Sequence, residues 1–295
     1  MGNLISGKKY GRRKIRSAKK LGSAKKTVVL HTISAATSWD IDAGSLPLPL
    51  VIAHRGDVST APENTLPAFK NALTAGADGV ELDVRLTLDR QLVVFHDHRL
   101  DRTSNGTGRV DAATFSQVRS LDVGSWFSPA FTGEAAPTLD EVFELLPRDF
   151  LINVEMKVII SGMKLIAHSV AETIRRHQRW ESTLVASFNP VALYHLRRME
   201  PRILRGYIWS KRHPYPIRSR WLSPLAQAQW YDPANDTYNP ILHRKLRRQG
   251  HRVLAWDLDF NCDMEAMAEA RLEAVVTDRL ARTVQQKSDL ANLLA

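Results

Sequence analysis

The chain has 295 residues, 44% of them hydrophobic and 24% charged, a composition typical of a globular protein that excludes general disorder. Its formal net charge is +10, yet ten of the 41 basic residues precede the first acidic residue, and the other 31 equal the 31 acidic residues in number. The body of the chain is therefore neutral, and we expect no broad nucleic-acid-binding surface and no specific nucleic-acid partner.

Cysteine content and hydropathy exclude two further classes of protein. Cys262 is the only cysteine, so the chain has no intramolecular disulfide, and a small buried side chain is its simplest interpretation. No run of about 18 apolar residues is present, which excludes an ordinary membrane-spanning helix. The stretch Val28-Val29-Leu30 is too short to predict a signal-peptide core.

The N-terminal region is predicted to be a basic, disordered arm and linker over residues 1–47, ahead of a domain over 48–295. Its first residues place Gly2 and Ser6 in a pattern typical of N-myristoylation. Together with the basic residues of 1–26, a lipid would bind a cytoplasmic protein to an anionic membrane surface. Electrostatic attraction without a lipid and a solvated tail are the alternatives.

After the arm, apolar extended segments alternate with helical patterns. Strands are predicted at 50–53, 79–85, 150–157, 184–188, 203–209, 229–232, 252–256 and 274–277, with a further extended run at 91–96. Helices are predicted at 66–75, 139–146, 162–178, 190–199, 240–248 and 263–270, followed by a terminal helix, and residues 210–228 fit neither pattern. Eight strand-and-helix units predict an α/β fold in which a parallel sheet closes into a barrel.

Acidic residues occupy one face of two of these strands. Glu81 and Asp83 share a face by the two-residue period of a strand, with apolar neighbours opposite, and Glu155 and Lys157 repeat the arrangement. Carboxylates so close together repel each other unless a cation lies between them. Their hard oxygen atoms suit Mg²⁺ or Ca²⁺ better than zinc.

The polar residues fall where the predicted strands end, and in such barrels the chemistry lies at this C-terminal face. The residues at or near strand C-termini are His54, Glu81, Asp83, Glu155, Lys157, Trp256 and Asp278. Random placement would not produce this arrangement, so we expect a single site at the rim.

Four motifs resemble those of the glycerophosphodiester phosphodiesterase family: His54-Arg55-Gly56, Pro62-Glu63-Asn64-Thr65, Glu81-Leu82-Asp83 and His96-Asp97. The similarity runs from about residue 50 to 283, and a late Thr277-Asp278-Arg279 resembles the family's closing strand. The resemblance implies a TIM (β/α)8 barrel with a small insertion after strand 2. Residues 210–239 and the stretch Trp256-Asp257-Leu258-Asp259 depart from the family pattern.

The resemblance also implies an activity, the metal-dependent hydrolysis of glycerophosphodiesters to glycerol phosphate and an alcohol. Implied roles are metal ligation by Glu81, Asp83 and Glu155, acid–base catalysis by His54 and His96, and phosphate contact by Arg55 and Lys157. Which histidine is the acid stays open. Glu63 is a candidate for substrate or metal binding, with helix capping as the alternative, and Trp256 is a candidate for lining the glycerol pocket.

Two alternatives accompany this hypothesis. A lysophospholipase D acting on membrane lysophospholipids is favoured by the arm and by the basic, aromatic segment 211–221. A catalytically silent barrel that binds membranes or nucleic acid is the other, although a silent relative need not retain both histidines and all three acids.

Overall fold

The structure is a computed structural model, and it describes residues 38–39, 48–158, 161–212, 221–256 and 264–294. The predictions for the arm at residues 1–26, for Cys262, for Asp257 and Asp259 and for most of the segment 211–221 lie outside these residues.

Eight parallel strands close into a barrel within the described residues, because the first barrel strand pairs with both the second and the last. The strands are β1 (Leu50–Ala53), β2 (Gly79–Leu86), β4 (Leu151–Met156), β5 (Thr183–Ser187), β6 (Leu204–Trp209), β7 (Trp230–Pro233), β8 (Arg252–Trp256) and β9 (Ala274–Thr277). A short β3 (Leu92–Val94) lies antiparallel to β2. The predicted TIM barrel is therefore confirmed.

Helices connect these strands and cover the outside of the barrel. They are α1 (Leu66–Thr74), α2 (Phe115–Arg119), α3 (Leu139–Leu145), α4 (Met163–His177), α5 (Pro190–Met199), α6 (Ser223–Ala226), α7 (Pro240–Arg248), α8 (Met264–Ala270) and α9 (Leu280–Leu294). The starts of α1, α5 and α7 share one signal, a side-chain cap from Thr65, Asn189 or Asn239 together with a proline in the first turn. None of the described helices has the length and apolar character needed to cross a bilayer.

The barrel interior has its own apolar cluster below the polar rim. It comprises Trp39, Leu50, Ile52, Leu151, Leu184, Trp230, Leu254, Ala274 and Val276. Trp39 comes from the predicted linker, yet it is fully buried, packs edge to face on Trp230 at 5.2 Å and donates its indole N–H to the Ser182 carbonyl at 3.0 Å. Since Ser182 precedes β5, this tryptophan closes the N-terminal end of the barrel.

The insertion that follows β2 runs from β3 to the start of α3. It contains α2 and two short 3₁₀ helices, Val110–Ala112 and Pro129–Phe131. Its apolar side chains form a cluster separate from that of the barrel interior, made of Val93, Phe95, Leu100, Val110, Val118, Val123 and Ala136. The extended run predicted at 91–96 is a strand at Leu92–Val94, and the Phe95 amide beyond it still donates to the Asp83 carbonyl of β2 at 2.9 Å.

Candidate active site

Three carboxylates meet at the C-terminal end of neighbouring strands. Glu81 and Asp83 lie on β2, and Glu155 lies on β4, where the parallel register places it opposite Asp83. One oxygen from each lies within 4.8 Å of the others, and all three residues are buried. Among the described residues, this is the group of acidic, histidine and cysteine side chains with the geometry to hold a metal ion.

The electrostatics of this group fit a bound divalent cation. Burial and the charge of Asp83 raise the pKa of Glu81, and burial likewise raises that of Glu155. Burial also works to raise the pKa of Asp83, but Lys157 and Arg55 outweigh it and lower that pKa. The Lys157 ammonium lies 2.7 Å from Glu155 and 3.0 Å from Asp83, so it compensates those two acids but leaves Glu81 with a strong preference for an added positive charge.

His54 follows β1 and carries an acidic partner. Its Nδ1–H donates to Asp278, just beyond β9, at 2.7 Å, and its Nε2 lies 3.9 Å from Glu81. Burial lowers the pKa of His54, but the hydrogen bond to Asp278 and the charge of Glu81 outweigh it, so the pKa is raised above 6.5. The hydrogen bond also fixes which ring nitrogen faces the carboxylate group.

His96 follows β3 and carries a second such pair. Its Nδ1–H donates to Asp97 at 2.6 Å, and Arg85 donates two hydrogen bonds to the His96 carbonyl at 2.8 and 2.6 Å. Burial together with the charges of Lys157 and Arg55 lowers the pKa of His96 to about 4, against the opposing effect of Asp83. The two histidines therefore occupy environments that shift their pKa values in opposite directions.

Arg55 is held in a strained turn above the carboxylates. Its φ is +55° and that of Gly56 is +86°, and a Cβ at Gly56 would lie 2.6 Å from the Ala68 backbone carbon, so glycine is required there. This turn directs the Arg55 amide to Glu81 at 3.2 Å and its Nη1 to Glu63 at 2.8 Å. The geometry explains why glycine follows the two functional side chains.

The Pro62-Glu63-Asn64-Thr65 stretch has three distinct structural parts. Thr65 caps α1, so helix capping does not fall to Glu63. Asn64, at a φ of +58°, donates to Asp83 at 2.8 Å and accepts from its amide at 3.2 Å. Glu63 binds Arg55 and Arg102 and is not a member of the three-carboxylate group.

Arg102, in the insertion, joins the histidine pair to the arginine turn. It donates to both oxygens of Glu63 (2.7 Å each) and to both oxygens of Asp97 (2.7 and 3.0 Å). The hydrogen bond from Arg102 is the largest influence on Asp97, whose pKa is lowered to about 2. Arg102 therefore acts on His96 through Asp97, as a positioning residue.

Replacing Arg102 by alanine is expected to lower kcat by about tenfold with a smaller change in KM, because it releases Asp97 and with it the His96 ring. Arg102→Lys keeps the charge but loses the planar guanidinium that binds two carboxylates at once, so it is expected to restore only part of the lost kcat. Arg99→Ala is the matched control, since Arg99 lies in the same loop and binds only Asp101 among the described side chains. Equal kinetics for Arg102→Ala and Arg99→Ala would contradict this role.

A cavity of about 280 Å³ opens between the histidines. Its lining combines the polar residues His54, Arg55, Glu81, His96, Asn153, Glu155, Lys157 and Asp232 with Phe188, Ile208, Leu254, Trp256 and Val276. Trp256 packs edge to face on Phe188 at 5.9 Å and donates its indole N–H to the Asp232 carbonyl at 3.0 Å. Seven of the nine predicted site residues therefore line this cavity. Of the other two, Asp83 lies beside the lining acids Glu81 and Glu155, and Glu63 contacts Arg55.

Sequence reasoning placed Asp278 at the rim without a specific role and assigned no site role to Asn64, Arg102 or Asp232. Asn64 and Asp278 lay inside the recognised motifs, so their position was a usable signal. Asp232 ends the predicted strand 229–232, which was a usable signal of the same kind. Arg102 had none, since its role depends on contacts with Glu63 and Asp97.

A closed parallel barrel whose rim carries three carboxylates, two histidines and two cationic side chains has the groups that hydrolysis of a phosphoric diester requires, and comparison with known proteins agrees. The Glycerophosphoryl diester phosphodiesterase family matches residues 54–282. The chain therefore belongs to the glycerophosphodiester phosphodiesterase family and is a phosphoric diester hydrolase.

Individual relatives give the same result. A glycerophosphodiester phosphodiesterase of Caldanaerobacter subterraneus subsp. tengcongensis is 38% identical over 78% of this chain and 93% of its own. An Oleispira antarctica phosphodiesterase, solved with the product sn-glycerol-3-phosphate, is 28% identical with a TM-score of 0.73, covering 82% of this chain and 97% of its own. The Agrobacterium tumefaciens glycerophosphodiester phosphodiesterase is 27% identical with a TM-score of 0.67, covering 81% and 100%.

Proposed function

We propose that this enzyme hydrolyses glycerophosphodiesters to glycerol phosphate and an alcohol, with His54 and His96 as an acid–base pair and Mg²⁺ or Ca²⁺ bound by Glu81, Asp83 and Glu155. One observation carries the proposal: two histidines, each hydrogen-bonded to its own aspartate, line one cavity with Glu81 and Glu155, two members of the three-carboxylate group. The product complex of the Oleispira antarctica relative supports glycerol phosphate as the product.

The cation, when bound, would supply charge stabilisation for a phosphoryl oxygen in the transition state. The chain supplies further positive charge through Arg55 and Lys157, both at the edge of the carboxylate group. Arg55 offers a planar set of donors suited to phosphate oxygens, and Lys157 a compact charge. These two residues would orient the diester so that its leaving oxygen faces a histidine.

The opposite pKa shifts support one assignment of the two histidines. His96, whose pKa is lowered to about 4, is neutral near pH 7 and can accept a proton from the nucleophile. His54, whose pKa is raised, can donate a proton to the leaving alkoxide. We therefore propose His96 as the general base and His54 as the general acid.

The direct test is hydrolysis of glycerophosphocholine, measured as released glycerol phosphate, with and without chelator. We expect turnover that chelator abolishes and that Mg²⁺ or Ca²⁺ restores. Turnover unaffected by chelator would overturn the metal-dependent part of the proposal. An absence of turnover with either ion would overturn the proposal that glycerophosphocholine is a substrate. Lysophosphatidylcholine in the same assay tests the lysophospholipase D alternative, for which the arm and residues 213–220 lie outside the described part of the chain.

Replacing Asp278 by asparagine is expected to shift the pH profile. Protonated His54 is the active form in this mechanism, so activity falls as the pH rises through its pKa. Losing the hydrogen bond and charge of Asp278 lowers that pKa, so the alkaline limb of kcat/KM against pH should move to lower pH. Asp97→Asn is the comparison, because it acts on His96 and should move the acidic limb only. An alkaline limb that stays in place in Asp278→Asn would contradict the assignment of His54.

A further inference from the structure

Asp232 is a buried carboxyl in the cavity to which no role has yet been given. It lies on β7, is 1% exposed and lines the cavity beside Trp256. Neither carboxylate oxygen has a hydrogen-bond partner among the described residues. A buried polar group without a partner destabilises a protein, so such a group calls for an explanation.

The neighbouring strands leave space for this carboxyl. Gly206 on β6 faces it, and a Cβ at that position would lie 2.5 Å from Asp232 Oδ2 and 3.1 Å from the Ala186 side chain. Ile208, paired with Asp232 in the register of β6 and β7, lines the same cavity. Small residues on two adjacent strands therefore allow the carboxyl to reach the cavity instead of packing against a neighbour.

Asp232 is separate from the proposed cation site. The three carboxylates with oxygens mutually within 4.8 Å are Glu81, Asp83 and Glu155, and Asp232 is not a member. Burial, followed by the charges of Glu155 and Glu81, raises its pKa well above 3.8. Its environment therefore favours the neutral carboxyl, which donates one hydrogen bond and accepts others.

We propose that Asp232 hydrogen-bonds a hydroxyl of the glycerol group and so selects polyol phosphodiesters, an inference that rests on the proposed function. An anionic phosphate would be attracted to Arg55 and Lys157, which lie beside Asp83, and would gain no attraction from a carboxyl group at Asp232. A hydroxyl, in contrast, both donates and accepts, as a carboxyl does. The apolar walls formed by Ile208, Leu254 and Trp256 suit the carbon chain beside that hydroxyl.

The test compares Asp232→Leu and Asp232→Asn on two diesters, glycerophosphoglycerol and bis(p-nitrophenyl) phosphate, the second of which has no hydroxyl. Losing the hydrogen bond is expected to lower kcat/KM of Asp232→Leu for glycerophosphoglycerol by about 30-fold, chiefly through KM. The loss with bis(p-nitrophenyl) phosphate should be less than about threefold. Asp232→Asn, which can still donate and accept, should retain most of the activity.

Inhibition supplies a binding measurement that is independent of turnover. The inhibition constant of sn-glycerol-3-phosphate should rise in Asp232→Leu by a similar factor, while that of inorganic phosphate stays the same. A purely structural role would lower the melting temperature and affect both inhibitors equally, which would overturn the proposal.

The remaining outcomes are also decisive. A loss seen with glycerophosphocholine but not with glycerophosphoglycerol would overturn the hydroxyl site in favour of one for a cationic alcohol. Wild-type protein that cleaves bis(p-nitrophenyl) phosphate but no glycerophosphodiester would overturn the proposed function itself. Equal kinetics of Asp232→Leu and wild type on glycerophosphoglycerol would overturn only the role of Asp232.

Discussion

Replacing Glu81 by glutamine is expected to reduce kcat for glycerophosphocholine by about 10³-fold, because it removes one of three anionic ligands for the cation. The same variant should melt at a higher temperature than wild type in chelator at pH 7–8. The pKa of Glu81 is raised on folding, so its ionisation destabilises the folded state above the unfolded pKa, and glutamine removes that cost. The rise in melting temperature that the cation produces in wild type should largely disappear in Glu81→Gln.

Glu134→Gln is the matched control for this experiment. Burial also raises the pKa of Glu134, but this residue lies in the insertion and does not line the cavity. Its activity and its response to chelator should be those of wild type. A Glu81→Gln enzyme that keeps wild-type activity would show that this carboxylate is not a metal ligand, whatever its effect on melting.

Replacing either His54 or His96 by alanine is expected to lower kcat for glycerophosphocholine by about 10³-fold, the usual contribution of a positioned acid or base. The leaving group distinguishes the two variants. p-Nitrophenolate leaves without protonation, so His54→Ala should recover much of its activity on bis(p-nitrophenyl) phosphate relative to wild type. His96→Ala should stay impaired with both substrates, because the nucleophile still needs a base.

His98→Ala controls for the loss of an imidazole near the site. His98 lies two residues after His96, but it does not line the catalytic cavity, and its Nε2 lies 3.8 Å from Asp111. We expect wild-type kinetics. Recovery of His96→Ala rather than His54→Ala on the activated substrate would reverse the proposed assignment of acid and base.

The barrel and its acidic rim could be predicted because both follow local rules. A two-residue period places Glu81 and Asp83 on one face of β2 from sequence alone, and the predicted bounds of α5, α7, β8 and β9 match the structure. The caps and prolines that begin α5 and α7 lie next to those helices in the sequence, so tertiary packing had little to override.

Other parts of the site depend on contacts that no local pattern encodes. Arg102 joins Glu63 and Asp97, two residues separated by a helix and two strands, and its effect exists only once the insertion has folded over the rim. Asp232 was predicted only as the end of a strand, and the space that its carboxyl group occupies depends on the absence of a side chain at Gly206 on the neighbouring strand. Trp39 was assigned to a linker, because no periodicity marks a single residue that packs under a barrel.

The separate apolar cluster of the insertion has a consequence for the dynamics of the enzyme. His54 follows a barrel strand, whereas His96 and Arg102 belong to a segment that has an apolar cluster of its own and is joined to the barrel through β3, whose Val94 packs in the main core. Such a segment can open as a cooperative unit at a lower free energy than the whole domain, and hydrogen exchange would detect this at the amides of α2 before those of the barrel strands. We therefore expect activity to be lost at a temperature below that at which the barrel itself unfolds.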